Sequence, residues 1–84
     1  MRVTVRLFAR LREITGHDTI AREIGSGAAP ATVRDVWRSL VEQWPALGAF
    51  DSSVSGAVNA EYARMTREVS EGDEVAFLPP VSGG

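Results

Sequence analysis

The chain has 84 residues, room for one domain and no more. Hydrophobic residues make up 44% and the net charge is −2, which exclude a disordered chain and give no reason to expect nucleic acid as a partner. No apolar run is long enough to span a bilayer, and the absence of cysteine excludes a disulfide framework, a thiolate metal site and a cysteine nucleophile.

All nine basic residues are arginine. Without lysine no side-chain amine can form a Schiff base or accept an isopeptide bond, so in any conjugation this chain is the donor. Met1–Arg6 alternates like a strand and lacks the apolar core of a signal peptide, which makes a cytoplasmic location the expectation.

Arg2 to Phe8 reads as the first strand, with Val3, Val5 and Leu7 on one face and Thr4, Arg6 and Phe8 on the other. Leu11 and Ile14, three apart, suit a short helical turn over Ala9–Thr15 that stops at Gly16. His17 to Ile24 is expected as a second strand antiparallel to the first, with Ile20 and Ile24 inward and Arg22 outward. Gly25–Pro30 is a connector of small residues without the spacing of a phosphate-cradling loop.

Thr32 is a good N-cap, with Asp35 three residues on. The helix that follows carries Val33, Val36, Trp37, Leu40, Val41 and Trp44 at helical spacing and ends before Pro45. Arg38 and Glu42 face water as an expected i,i+4 pair, and both tryptophans on one apolar stripe read as packing. Leu47 to Ser55 is expected as a loop. Gly56 to Ala60 and Tyr62 to Met65 are expected as short strands joined by a tight turn, with Thr66–Val69 as a further extended piece. Ser70-Glu71-Gly72-Asp73 is a turn that needs glycine.

The last strand, Glu74 to Leu78, is expected beside the first and parallel to it, since the single long helix must cross one face of the sheet before the chain returns. These expectations define an α+β fold, the ubiquitin-like β-grasp: a mixed sheet with one main helix packed on one face. Residues 1–80 would form the domain and 81–84 a flexible tail. Pro79-Pro80 can extend neither strand nor helix, so Val81-Ser82-Gly83-Gly84 should project from it. With glycine at about 7% of residues, a Gly-Gly ending arises by chance only about once in 200 chains.

The chain offers no self-contained catalytic pattern. His17 stands alone at a strand start, and the acidic residues fall at turns or on solvated faces without ligand spacing. Chemistry is therefore expected to be done to Gly84 by other proteins. A carboxylate is a poor electrophile, but its mixed anhydride with AMP has a good leaving group. An incoming sulfur nucleophile then yields a thiocarboxylate, ionised and nucleophilic at neutral pH. A Gly-Gly arm can carry that group into a narrow channel because it has no side chains.

Phe8-Ala9-Arg10-Leu11-Arg12-Glu13-Ile14-Thr15-Gly16, Ala57-Val58-Asn59 and the whole of Glu71–Gly84 resemble the small, sulfur-carrying subunit of molybdopterin synthase, the MoaD/ThiS family. The resemblance implies a carrier adenylated at Gly84 by an E1-like activating enzyme that uses ATP, charged by a sulfur donor, and docked on the large synthase subunit in a heterotetramer. The small subunit would bind no cofactor itself, and the catalytic residues would lie on the large subunit. Gly83, Ser82, Val81 and Pro80 would enter the partner with Gly84, and two such sulfurs would build the dithiolene of molybdopterin. Leu78, Phe8 and Tyr62 are expected to form an exposed apolar docking patch. Two other readings stay open: a ubiquitin-like modifier conjugated through Gly84, or a sulfur carrier for thiamine, cysteine or tRNA thiolation.

Overall fold

In the computed structural model, residues 1–25 and 29–80 are described; Ser26, Gly27 and Ala28 of the connector, and Val81, Ser82, Gly83 and Gly84 at the end of the chain, lie outside them. The elements follow as β1 (Arg2–Leu7), α1 (Ala9–Thr15), β2 (Thr19–Glu23), α2 (Val33–Gln43), a 3₁₀ helix (Pro45–Phe50), β3 (Ser55–Val58), β4 (Glu61–Ala63) and β5 (Glu74–Leu78). The sheet runs β2-β1-β5-β3-β4, with β1 and β5 parallel and the other neighbours antiparallel. This is the ubiquitin-like β-grasp.

The period-2 alternation of β1 and β5 sends Val3, Val5, Leu7, Val75 and Phe77 into the core. There they meet Val33, Val36, Trp37 and Leu40 of α2, with Leu11 of α1 and Leu47 of the 3₁₀ helix closing the sides. The rings of Trp37 and Phe77 lie 5.1 Å apart, and the indole N–H of Trp37 is satisfied by Asp51 Oδ1 at 2.7 Å. Helix α2 comes close enough to β3 that a Cβ on Gly56 would sit 3.0 Å from Val33 Cγ1 and crowd that methyl.

The start of α2 is held by a reciprocal cap. Asp35 N–H donates to Thr32 Oγ1 at 3.3 Å, and Thr32 N–H donates to Asp35 Oδ2 at 2.9 Å. Helix α1 stops where Gly16 turns left-handed at φ 77°, and Gly72 opens the turn into β5 at φ 85°. Both glycines stand where the sequence places a stop or a turn.

Four expectations need correction. Arg22 does not point away from the core. Its register partner is Val3, a helix-face residue, so Arg22 lies on the same face as Ile20 and reaches α2. There its guanidinium donates to Ser39 Oγ, the Ser39 carbonyl and Gln43 Oε1 at 3.2, 2.7 and 2.7 Å and lies over the Trp44 ring. The aliphatic stem of arginine covers apolar surface while its head stays polar, which is why its charge does not force it outward. The 47–55 segment is not all loop: Pro45 at the first helical position starts a 3₁₀ helix that buries Leu47. Beyond β4, residues 66–69 add one isolated bridge, Thr32 to Glu68, rather than a strand. Arg38 and Glu42 are not within ion-pair distance; the ion pairs among the described residues are Met1–Glu23, Arg2–Glu23, Arg6–Glu74 and Arg10–Glu13.

The turn between β3 and β4 is tied to the start of β5. Asn59 and Ala60 have φ of 49° and 71°, a left-handed pair that suits a two-residue hairpin. Asn59 Nδ2 donates to Asp73 Oδ1 at 3.0 Å, and Asn59 Oδ1 accepts Glu74 N–H at 2.9 Å. The Ser70 N–H on Asp73 Oδ2 and then the Asn59 amide hold the Asp73 carboxyl below the usual carboxylate range, against a small opposing effect of burial and with a minor contribution from the Arg67 charge. A depressed folded pKa contributes stability that is complete above the unfolded value of about 3.9 and is lost as pH falls through the folded value. The stability gap between the protein and its Asp73→Asn variant should therefore be widest at neutral pH and close in acid, read as urea midpoints. A gap that stays constant with pH would remove the charge from this explanation.

Candidate functional site

The sheet has a second face, opposite α2. Register places Phe8, which follows Leu7 in β1, beside Leu78, because Leu7 pairs with Phe77; Leu78 in turn pairs with Ser55 of β3. One row along, Arg6, Ala76, Ala57 and Tyr62 lie side by side across β1, β5, β3 and β4. Phe8 and Leu78 share one face, as strand parity implies, and the pairing of Ala57 with Tyr62 puts Tyr62 on it too. Phe8 is 37% exposed, Tyr62 79% exposed and Leu78 half-buried. Tyr62 stands two strands from Leu78, roughly 10 Å at ordinary strand spacing. The small side chains of Ser55, Ala57 and Ala76 lie between them, so the face is a flat apolar floor with raised aromatic edges.

Local geometry sets these positions. Phe8 is the residue between β1 and α1, still extended at φ −123°, and its carbonyl accepts the first helical N–H from Leu11 at 3.1 Å. Ala9 takes φ 51°, which turns the chain sharply away and leaves the Phe8 ring on the sheet face. Because β5 is parallel to β1, the chain leaves the sheet at the same end as Phe8. Pro79, half-buried, and Pro80, exposed, are the last described residues there.

Arg6 is a further member of this face, and its parity with Phe8 is the sequence signal for it. Its guanidinium lies 5.5 Å from the Phe8 ring centroid. Arg6 Nη1 is 3.8 Å from Glu74 Oε2, with both side chains more than a third exposed, so this ion pair is weak. Its Nε is buried without a hydrogen-bond partner. The face is largely apolar, with one incompletely satisfied cation, Arg6, beside Phe8 at its β1 side and Glu74 next to it.

His17 lies with its ring against Trp44, centroids 6.1 Å apart. Among the described residues no group of three or more His, Cys, Asp and Glu could hold a metal ion, and no helix is long and apolar enough to cross a membrane.

The fold, with its parallel β1–β5 pair and flat outward face at the exit of the chain, defines a ubiquitin-like protein. Residues 5–84 match the ThiS family, and the chain belongs to it. The molybdopterin synthase sulfur carrier subunit of Arabidopsis thaliana is 38% identical over 82 residues, covering 98% of this chain and 82% of its own. Small archaeal modifier protein 1 of Haloferax volcanii is 34% identical over 87 residues, covering 94% and 97%. A crystal structure of SAMP1 from Haloferax volcanii is similar with a TM-score of 0.83 and full coverage of both chains. A chain from the crystal structure of the Amycolatopsis orientalis BexX/CysO complex, 26% identical, is similar with a TM-score of 0.71 over 98% of this chain and 99% of that one.

Proposed function

We propose that this protein is a sulfur carrier for dithiolene formation in molybdopterin biosynthesis. The observation that carries this reading is the family match through residue 84, the Gly-Gly end included, together with relatives named as molybdopterin synthase sulfur carrier subunits along nearly the whole chain. In this reading the carboxylate of Gly84 attacks the α-phosphorus of ATP on an E1-like enzyme and pyrophosphate leaves. A sulfur nucleophile from the donor then displaces AMP and leaves the thiocarboxylate. Val81, Ser82, Gly83 and Gly84, with Pro80 at their base, enter the large synthase subunit. Its catalytic residues transfer the sulfur to a cyclic pyranopterin phosphate, and two carriers serve a heterotetramer.

The face that holds Phe8, Leu78 and Tyr62 supplies the affinity in this reading. It lies at the end of the sheet where the tail leaves, so a partner that grips it is positioned to receive the tail. The Arg6 guanidinium among these apolar groups suits a partner surface that is apolar with one carboxylate.

The test is an intact mass before and after incubation with activating enzyme, ATP and sulfur donor, followed by a chase with the large subunit and the cyclic precursor. The expected result is a gain of one sulfur-for-oxygen exchange that reverses in the chase as dithiolene forms. Loading without discharge would keep the carrier chemistry and reject molybdopterin as its product, leaving thiamine, cysteine or tRNA thiolation.

One observation favours a second reading. The Haloferax volcanii relative is named a modifier protein and is similar along the full chain. A modifier would be conjugated from Gly84 to lysines of other proteins. Acceptor lysines bearing a Gly-Gly remnant after proteolysis, in place of the thiocarboxylate, would decide for it.

A further inference from the structure

The edge of the sheet at β4 carries three features that no contact within the described residues uses. The first is a groove of about 530 Å³ beside β4, with Arg34, Gly56, Tyr62, Ala63, Arg64 and Met65 in its walls. A smaller hollow of about 170 Å³ continues from it along α2, sharing Arg34 and Met65 and adding Trp37, Arg38 and Asp51. The second is charge. Arg34, Arg38 and Arg64 are exposed, and none lies within 4.0 Å of a carboxylate among the described residues. In the walls of the groove and the hollow three arginines stand against one carboxylate, Asp51, whose Oδ1 accepts the Trp37 indole N–H, while Asp35 is held in the cap of α2. On a chain of net charge −2 this is a local excess of positive charge.

The third feature is a backbone pair. In a two-residue hairpin the flanking residues, here Val58 and Glu61, exchange both hydrogen bonds, so the next pair, Ala57 and Tyr62, does not. The N–H and C=O of Tyr62 therefore face away from β3, at the open edge.

We propose that the β4 edge and its arginine groove form a second docking surface, which takes an acidic, extended segment of a partner protein. An extended chain can pair with the free backbone groups of Tyr62 and add to the sheet, while its carboxylates reach Arg34 and Arg64. A second copy of this chain does not fit, because it would set the same arginines against each other. A nucleic acid would meet the arginines too, but it has no strand backbone to pair with the free N–H and C=O of Tyr62. The Tyr62 side chain lies on the outward face and its backbone at the edge, so this surface adjoins the one used in the proposed carrier function without depending on it.

The test uses the full chain, ¹⁵N-labelled and titrated with a capped peptide of alternating glutamate and valine. Amide shifts should centre on Arg34, Gly56 and residues 61–66, and exchange of the Tyr62 N–H should slow on binding. Arg34→Glu combined with Arg64→Glu should weaken binding about tenfold or more. Both side chains are exposed and retained amide dispersion verifies the fold; Arg64→Ala alone carries the test if the double variant unfolds. Raised salt should weaken binding, and Phe8→Ala should leave it unchanged. The proposal is overturned by no binding, by shifts on the Phe8 and Leu78 face instead, by an unprotected Tyr62 N–H, by affinity insensitive to the arginine changes, or by tighter binding of polyuridylate in the same groove.

Discussion

A chain lacking Gly84, or carrying one extra alanine after it, is expected to keep its melting temperature and to lose sulfur loading altogether. In the proposed chemistry the reacting carboxylate must lie against the α-phosphate of ATP. One residue more or less moves it by about 3.5 Å. A misplacement of about 1 Å can already cost a factor of about 100 in rate, so a full residue leaves no productive geometry. Intact mass after incubation with activating enzyme, ATP and sulfur donor reads the outcome. Loading of either variant at the rate of the parent chain would mean that Gly84 is not the reacting residue. Neither change touches the core, since β5 ends at Leu78 and its buried residues are Val75 and Phe77.

Phe77→Ala and Phe8→Ala should separate stability from docking. Phe77 is 0% exposed and packs on Trp37, with ring centroids 5.1 Å apart. Truncating such a ring costs about 3–5 kcal/mol, the lost transfer energy plus a cavity the tight core cannot close. A domain of this length holds roughly 4–13 kcal/mol in all, so Phe77→Ala should lower the melting temperature by more than about 10 °C or prevent folding. Phe8, on the opposite face of the same sheet, should shift it by no more than a few degrees, about 0.5 kcal/mol. Its loss should instead weaken binding to both the activating enzyme and the large subunit, as titration calorimetry would read. A large loss of stability in Phe8→Ala would make it a core residue and remove it from the docking face.

How far each position could be read in advance depended on how local its cause is. The cap of α2 needs only Thr32 and Asp35, three residues apart, and both hydrogen bonds form. The outward placement of Phe8 and Leu78 follows from counting along β1 and β5, and Tyr62 falls on the same face. The charge of Arg22 suggests a place in water, but once β2 pairs with β1 in register Arg22 must share the face of Val3. The 3₁₀ helix at Pro45–Phe50 has too short a pattern to be read, yet it places Leu47 in the core. Nothing local in the sequence marks the arginine groove, whose walls come from α2, β3, β4 and the residues after it.

The sequence by itself determined the order of the main strands and helices, the core faces of β1, β5 and α2, the absence of lysine and cysteine, and the Gly-Gly pair on which the proposed chemistry rests. Each of these depends on composition or on residues a few positions apart, within reach of strand and helix periodicity. Only the tertiary structure decided that Arg22 spans to α2, that Arg6 buries an unsatisfied Nε with its guanidinium against the Phe8 ring, and that Arg34 and Arg64, thirty positions apart, line one groove. Those arrangements depend on strand register and on the distance between helix and sheet, and contacts across the whole chain set both.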